Sequence, residues 1–157
     1  MNILKTIYFG KYYFEVAIVL RFSLFLNSTL LNSEAWGYLT NKNIRSLEQM
    51  DEALLSRILD CERNTSNTFK YLELGIYPIR FEIMKRSIVF LQYILKQEES
   101  SMMFQVLNAT IENPTKNDFV NTCLGYLEIL EIKLTFQEIK EMSEWSFKQL
   151  VKNSIAC

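Results

Sequence analysis

Apolar positions along the chain recur mostly at three- and four-residue spacing, the period of helices that bury one face. The first such stretch runs from about Tyr12 to Trp36. Val16, Val19, Leu20, Ser23, Leu26, Leu30 and Leu31 form its stripe, Phe22 and Leu24 widen it, and Gly37 is the expected stop. It would be about 37 Å long. A second helix starts at Thr40 or Asn41, both good N-caps, with Ile44, Leu47, Met50, Leu54, Leu55 and Ile58 on its apolar face. Asp51 and Glu52 fall mid-helix, and Glu48 and Glu52 share an outer face that reads as solvated. Arg63 to Asn67 is a polar turn. Thr65 or Ser66 then caps a short helix carrying Phe69, Leu72 and Leu74 up to Gly75.

Pro78 fits the start of the next helix, where its missing N–H is not needed. This helix reaches about Lys96 and has two apolar stripes. Phe81, Met84, Ile88, Leu91 and Leu95 make one; Ile79, Ile83, Phe90 and Ile94 make the other. Only a strip with Glu82, Lys85, Gln92 and Lys96 is polar, and a helix apolar on two sides is packed on two sides. Residues 97–101 form a polar linker. Met103, Phe104, Leu107 and Ile111 mark a helix that stops before Pro114. Thr115 with Asp118 resembles a capping box ahead of Val120, Cys123, Leu124, Leu127 and Leu130, and Thr135 with Glu138 repeats it. Ser143 caps a last helix with Trp145, Phe147, Leu150 and Val151. No stretch alternates long enough to read as a strand. The expected fold is all-α: an irregular compact bundle of about six to eight helices around a central helix at about 79–96.

Composition supports this reading. The 157 residues suit one domain, 1–157, with 1–97 and 102–157 as its candidate sub-lobes. Four Gly and two Pro are too few for the turns of a many-stranded sheet. A net charge of −1 gives no global attraction to nucleic acid. The chain has no His, which removes the commonest general base and metal ligand. Cys61, Cys123 and Cys157 lack metal or disulfide spacing and point to a reducing, intracellular setting. Residues 12–31 are apolar, yet Glu15 and Arg21 would each cost about 2.5–3.5 kcal/mol in a bilayer, so no membrane segment and no signal peptide is expected.

Candidate chemistry is sparse. There is no phosphate-cradling glycine loop and no nucleophile elbow, and the absence of His excludes triads that need it. Asp51, Asp60 and Asp118 are the only aspartates, and none pairs with a neighbour in a strand context to hold two metals. No enzyme activity and no cofactor is expected of this chain. The one candidate surface is basic: Arg80, Lys85 and Arg86, with Lys96 nearby, could contact phosphates, and Tyr77 and Tyr93 could stack on bases. A plainer reading stands beside it. Glu82 precedes Arg86 by four residues, a pair worth about 0.2–0.5 kcal/mol, and Arg80 falls between the apolar stripes as a structural arginine.

Residues 71–86, YLELGIYPIRFEIMKR, resemble the region downstream of the palm in jockey-like, LINE-type non-LTR retrotransposon reverse transcriptases. FGKYYFE at 9–15, NSEAW at 32–36, LEQMDE at 47–52, FLQYIL at 90–95, NPTKND at 113–118 and SFKQLVK at 146–152 are similar to the same family, in the same order. The ordered set is more specific than any one piece. The resemblance implies a helical thumb-and-linker region that sits against a polymerase core and helps hold RNA template and DNA primer. The family's palm aspartates and divalent metal match no position here. The chain therefore looks like a catalytically silent C-terminal fragment, with Arg80, Lys85 and Arg86 contacting RNA or DNA only within a full-length enzyme. The apolar first helix would then dock on the missing core or on another copy. The alternative is a helical protein–protein interaction module that binds no nucleic acid.

Overall fold

A computed structural model of the chain describes residues 13–31, 33, 41–62, 64–115 and 118–156. Among these there are eight helices and no strand. Helix α1 is α-helical over Tyr13–Leu20, π-helical over Arg21–Leu26 and α-helical again over Asn27–Thr29. There follow α2 (Asn41–Ile58), α3 (Asn67–Glu73), α4 (Ile79–Leu95), α5 (Met102–Glu112), α6 (Phe119–Ile129), α7 (Phe136–Glu141) and α8 (Glu144–Ala156). α1 ends at Thr29, where Leu30 leaves the helical conformation, short of the expected end at Trp36 and Gly37; those two residues and the cap at Thr40 lie outside the described residues. No described helix is long and apolar enough to cross a membrane.

Contacts divide the chain into two units. The described residues 13–31 and 41–80 belong to the first; Ser33 and residues 81–156 belong to the second.

In the first unit α1 buries Ala17, Arg21, Leu26 and Leu30. Their spacing is four, five, four. The five-residue step falls in the π turn, which inserts one residue and keeps the inner side in line. The stripe expected from sequence is only partly the inner face: Val19 and Ser23 are exposed. Nearly every position in this stretch is apolar, so hydrophobicity could not choose a face. On α2, Ile44, Leu55 and Ile58 are buried as expected, but Met50 is exposed and Asp51 takes the inward position. Ala17, Leu55, Ile58, Tyr71 and Ile76 form the apolar core of this unit.

Two helix ends here share one device. Gly75 takes φ +61 and lets the Ile76 N–H reach back to the Tyr71 carbonyl at 3.0 Å. Asp60 does the same at φ 49, with the Cys61 N–H donating to the Ser56 carbonyl at 3.0 Å. Ser66 occupies the N-cap of α3, as expected, but its side chain makes no capping bond. Pro78 directly precedes α4.

In the second unit Ile88, Leu91, Ile94 and Leu95 of α4 meet Leu107, Val120, Cys123, Leu127, Ile139, Phe147 and Val151. Along the whole of α4, Ile79, Ile83, Met84, Ile88, Leu91, Ile94 and Leu95 are buried, so both apolar stripes are covered. Gln92, expected on the polar strip, is buried instead. Its amide donates to the carbonyls of Ile139 and Met142 at 2.9 and 3.0 Å, and Lys96 Nζ donates to Met142 O at 2.8 Å. These bonds satisfy the orphan carbonyls at the end of α7, where a cation is also favoured.

Asp118 is the N-cap of α6, accepting from the N–H groups of Asn121 and Thr115 at 2.7 and 2.6 Å. The helix thus starts one turn later than a box opened by Thr115 would place it. Thr135 and Glu138 form the full capping box of α7. The Asn121 and Thr135 N–H groups hold the Asp118 and Glu138 carboxyls, respectively, below the usual carboxylate range. Ser143 accepts the Ser146 N–H at 3.1 Å, at the start of α8. Glu131, at φ 55, ends α6 with the Ile132 N–H on the Leu127 carbonyl at 2.9 Å.

The two described glycines give opposite expectations. A methyl at Gly75 would touch nothing within 4 Å, so Gly75→Ala should cost about 1–2 kcal/mol through its left-handed backbone alone. Gly125 lies inside α6 with equally open space, so Gly125→Ala should stabilise by about 0.5–1 kcal/mol. Urea denaturation of both variants checks the pair.

Candidate functional site

The densest cluster of ionisable groups in the first unit is one the sequence reading left out. Arg21 Nε and Nη2 donate to Asp51 Oδ1 and Oδ2 at 2.7 and 2.5 Å, a two-pronged pair. The Tyr71 hydroxyl donates to Asp51 Oδ2 at 3.2 Å, and Arg21 Nη2 also reaches the Tyr77 carbonyl at 3.4 Å. The Arg21 and Asp51 side chains are 1% and 0% exposed. Three helices meet here: α1 brings the cation on its π turn, α2 the carboxylate and α3 the phenol. Burial, then the negative charge of Asp51, pushes the Tyr71 hydroxyl far above the ordinary tyrosine range. Neighbouring Lys70 is buried too and donates to Asn67 Oδ1 at 3.2 Å.

Chemically this cluster is closed. The Asp51 carboxylate already accepts three donors, the Arg21 guanidinium is turned onto it, and the Tyr71 phenol keeps its proton, so the cluster is spent on itself. Its role is architectural. A usable signal was in the sequence: Asp51 is in register with Ile44, Leu55 and Ile58, and Arg21 follows Ala17 by four. A charge inside an apolar stripe asks for a partner of opposite sign.

The three candidate nucleic-acid residues all lie on α4 but do not form one face. At about 100° per residue, Lys85 and Arg86 sit about 140° and 120° around the axis from Arg80. Arg80 Nε and Nη2 bond Glu48 at 2.9 and 3.3 Å. Lys85 and Arg86 both reach Glu82, at 2.5 and 3.3 Å. Tyr77 and Tyr93 are each about half exposed, and Tyr93 stacks on Phe90 with centroids 6.0 Å apart.

Other reactive groups among the described residues do not assemble into a second cluster. The Cys123 thiol is pushed up by burial and lies 3.6 Å from the Ser87 carbonyl, an inert environment for a nucleophile. No group of three His, Cys, Asp or Glu side chains among the described residues could hold a metal ion. An open cleft of about 700 Å³ in the second unit is lined by Leu124, Leu127, Glu128, Glu131, Ile132, Lys133 and Leu134, and carries no hydroxyl or thiol nucleophile. Comparison with protein-family models, with curated proteins and with solved structures returns no match.

Removing either half of the buried pair leaves an unpaired charge, so Asp51→Ala and Arg21→Met should each lose about 3–5 kcal/mol. The double variant should lose clearly less than the sum, as a denaturation double-mutant cycle will read. A second expectation concerns alkali. Below pH about 10 Tyr71 is protonated whether the chain is folded or not. Above it the unfolded chain ionises while the folded one resists, so stability falls as pH rises. Tyr71→Phe should flatten that fall in denaturation curves taken above pH about 10.

Proposed function

We propose that this chain is the helical region following the palm of a LINE-type non-LTR retrotransposon reverse transcriptase, acting as scaffold and not as catalyst. One observation carries the reading. Two of the separate sequence pieces that resemble that family meet in polar contacts: Tyr71 of YLELG reaches Asp51 of LEQMDE, and Arg80 of the same run reaches Glu48. Gln92 of FLQYIL holds the end of α7, whose Ile139 and Met142 lie outside the similar pieces.

In a full-length enzyme Arg80, Lys85 and Arg86 would support template–primer binding. Their carboxylate partners, Glu48 and Glu82, keep 17% and 20% of their side chains exposed, and a phosphate can replace a carboxylate as the acceptor. RNA-directed DNA synthesis itself, with its palm aspartates and divalent metal, belongs to parts that no residue here matches. A second reading, a protein–protein interaction module without nucleic acid, is favoured by the apolar side chains exposed along α1.

Fluorescence anisotropy with an RNA–DNA duplex tests the first reading. Weak binding is expected at ~50 mM salt, lost by ~200 mM. Lys85→Gln with Arg86→Gln should weaken it and Glu82→Gln should strengthen it. No binding at the lower salt would remove the nucleic-acid role.

A further inference from the structure

Arg86, Phe90 and Tyr93 lie on one line along α4, within about 60° around the axis and about 10 Å from end to end. All three belong to the second unit. Phe90 meets the Phe119 ring edge-on, with centroids 5.9 Å apart at 73°, which ties it to α6. The Tyr93 ring lies nearly parallel to Phe90, at 12° and 6.0 Å. One face of Tyr93 is thus turned to Phe90, and the residue is still 50% exposed, so its other face is open to solvent. Charge along the line is directional. Arg86 stands at one end beside Lys85, and Glu82 accepts from both. Glu98 and Glu99 are exposed beyond the other end. An anion next to Tyr93 is therefore drawn toward Arg86 and repelled past the end of α4.

We propose that this line takes an unpaired nucleobase on the open face of Tyr93, with the adjoining phosphates turned toward Arg86 and Lys85. An aromatic platform in line with a cation matches a flat ring joined to an anion. A base inside a duplex is already stacked on both faces, so the ligand is a single strand. Stacking is tolerant of base identity, and no sequence preference accompanies it. Tyr77 has no part in this site: it precedes α4 and belongs to the first unit. The inference rests on the nucleic-acid reading of Lys85 and Arg86 given above and narrows it, from support of a duplex to the place where an unpaired strand leaves one.

Anisotropy titrations at ~50 mM salt with three labelled probes test it. One is a blunt RNA–DNA duplex, one carries a short extension of unpaired deoxynucleotides, and one carries an extension of abasic spacers with the same phosphates. The wild-type chain should bind the base-bearing extension ~5-fold or more tightly than the abasic one, the share that one stacked base supplies. Tyr93→Leu keeps an apolar contact with Phe90 but has no aromatic face. It should retain the helical circular dichroism, bind the two extended probes equally and leave the abasic affinity unchanged. Tyr93→Trp should keep the preference. Equal wild-type binding of the two extended probes, or a preference that survives Tyr93→Leu, overturns this proposal and leaves the duplex reading standing. Loss of binding to all three probes overturns both.

Discussion

The buried pair of Arg21 and Asp51 sets the terms for the first unit. Bringing two charges out of water costs several kcal/mol per ion, and only close geometry with further hydrogen bonds offsets it. Here one carboxylate receives two guanidinium donors and a phenol. Such a pair adds little to stability compared with a well-packed apolar replacement. What it fixes is register. Sliding α1 by one residue would leave Asp51 without its cation and bury an apolar neighbour in its place. The π turn follows from the same constraint. Ala17 and Arg21 face inward at normal spacing, and Leu26 and Leu30 can join them only if one extra residue is taken up between.

The second unit uses a neutral version of the same principle. Gln92 sits among Ile88, Leu91 and Leu95, yet its amide is tied to two carbonyls at the end of α7. The apolar core holds α4, α6 and α8 without direction, because hydrophobic burial is non-directional. The amide selects where the short α7 ends against α4. In both units a polar group inside a greasy face supplies the orientation that burial alone leaves open.

The basic residues of α4 fall under a different balance. Their carboxylate partners, Glu48 and Glu82, are only partly buried, so water still reaches the pairs and long side chains lose entropy on pairing. They are therefore exchangeable, whereas the Arg21–Asp51 pair is not. Their spread around the helix means that no single small anion is gripped by all three. Contact with an extended polyanion, one phosphate at a time, is the mode that such a spread permits.

The helices of this chain were readable because three- and four-residue periodicity, scarce Gly and Pro, and capping residues such as Thr135, Ser143 and Gly75 are local signals. The two-sided character of α4 was readable for the same reason, as Ile83 and Met84 lie on different stripes and are both buried. Three things were not readable: the inner face of α1, the inward position of Gln92 with the partner that Asp51 takes, and the helix ends at Asp60 and Glu131. A nearly uniform apolar run carries no directional information. The register of Asp51 with Ile44, Leu55 and Ile58 points it inward but does not name its partner 30 residues away, and Gln92 reads as solvent-facing until Ile139, 47 residues on, is seen beside it. The sequence by itself determined which segments become helices, because that depends on near neighbours. Only the tertiary structure decided which side each helix buries, because that depends on pairing partners distant in the chain.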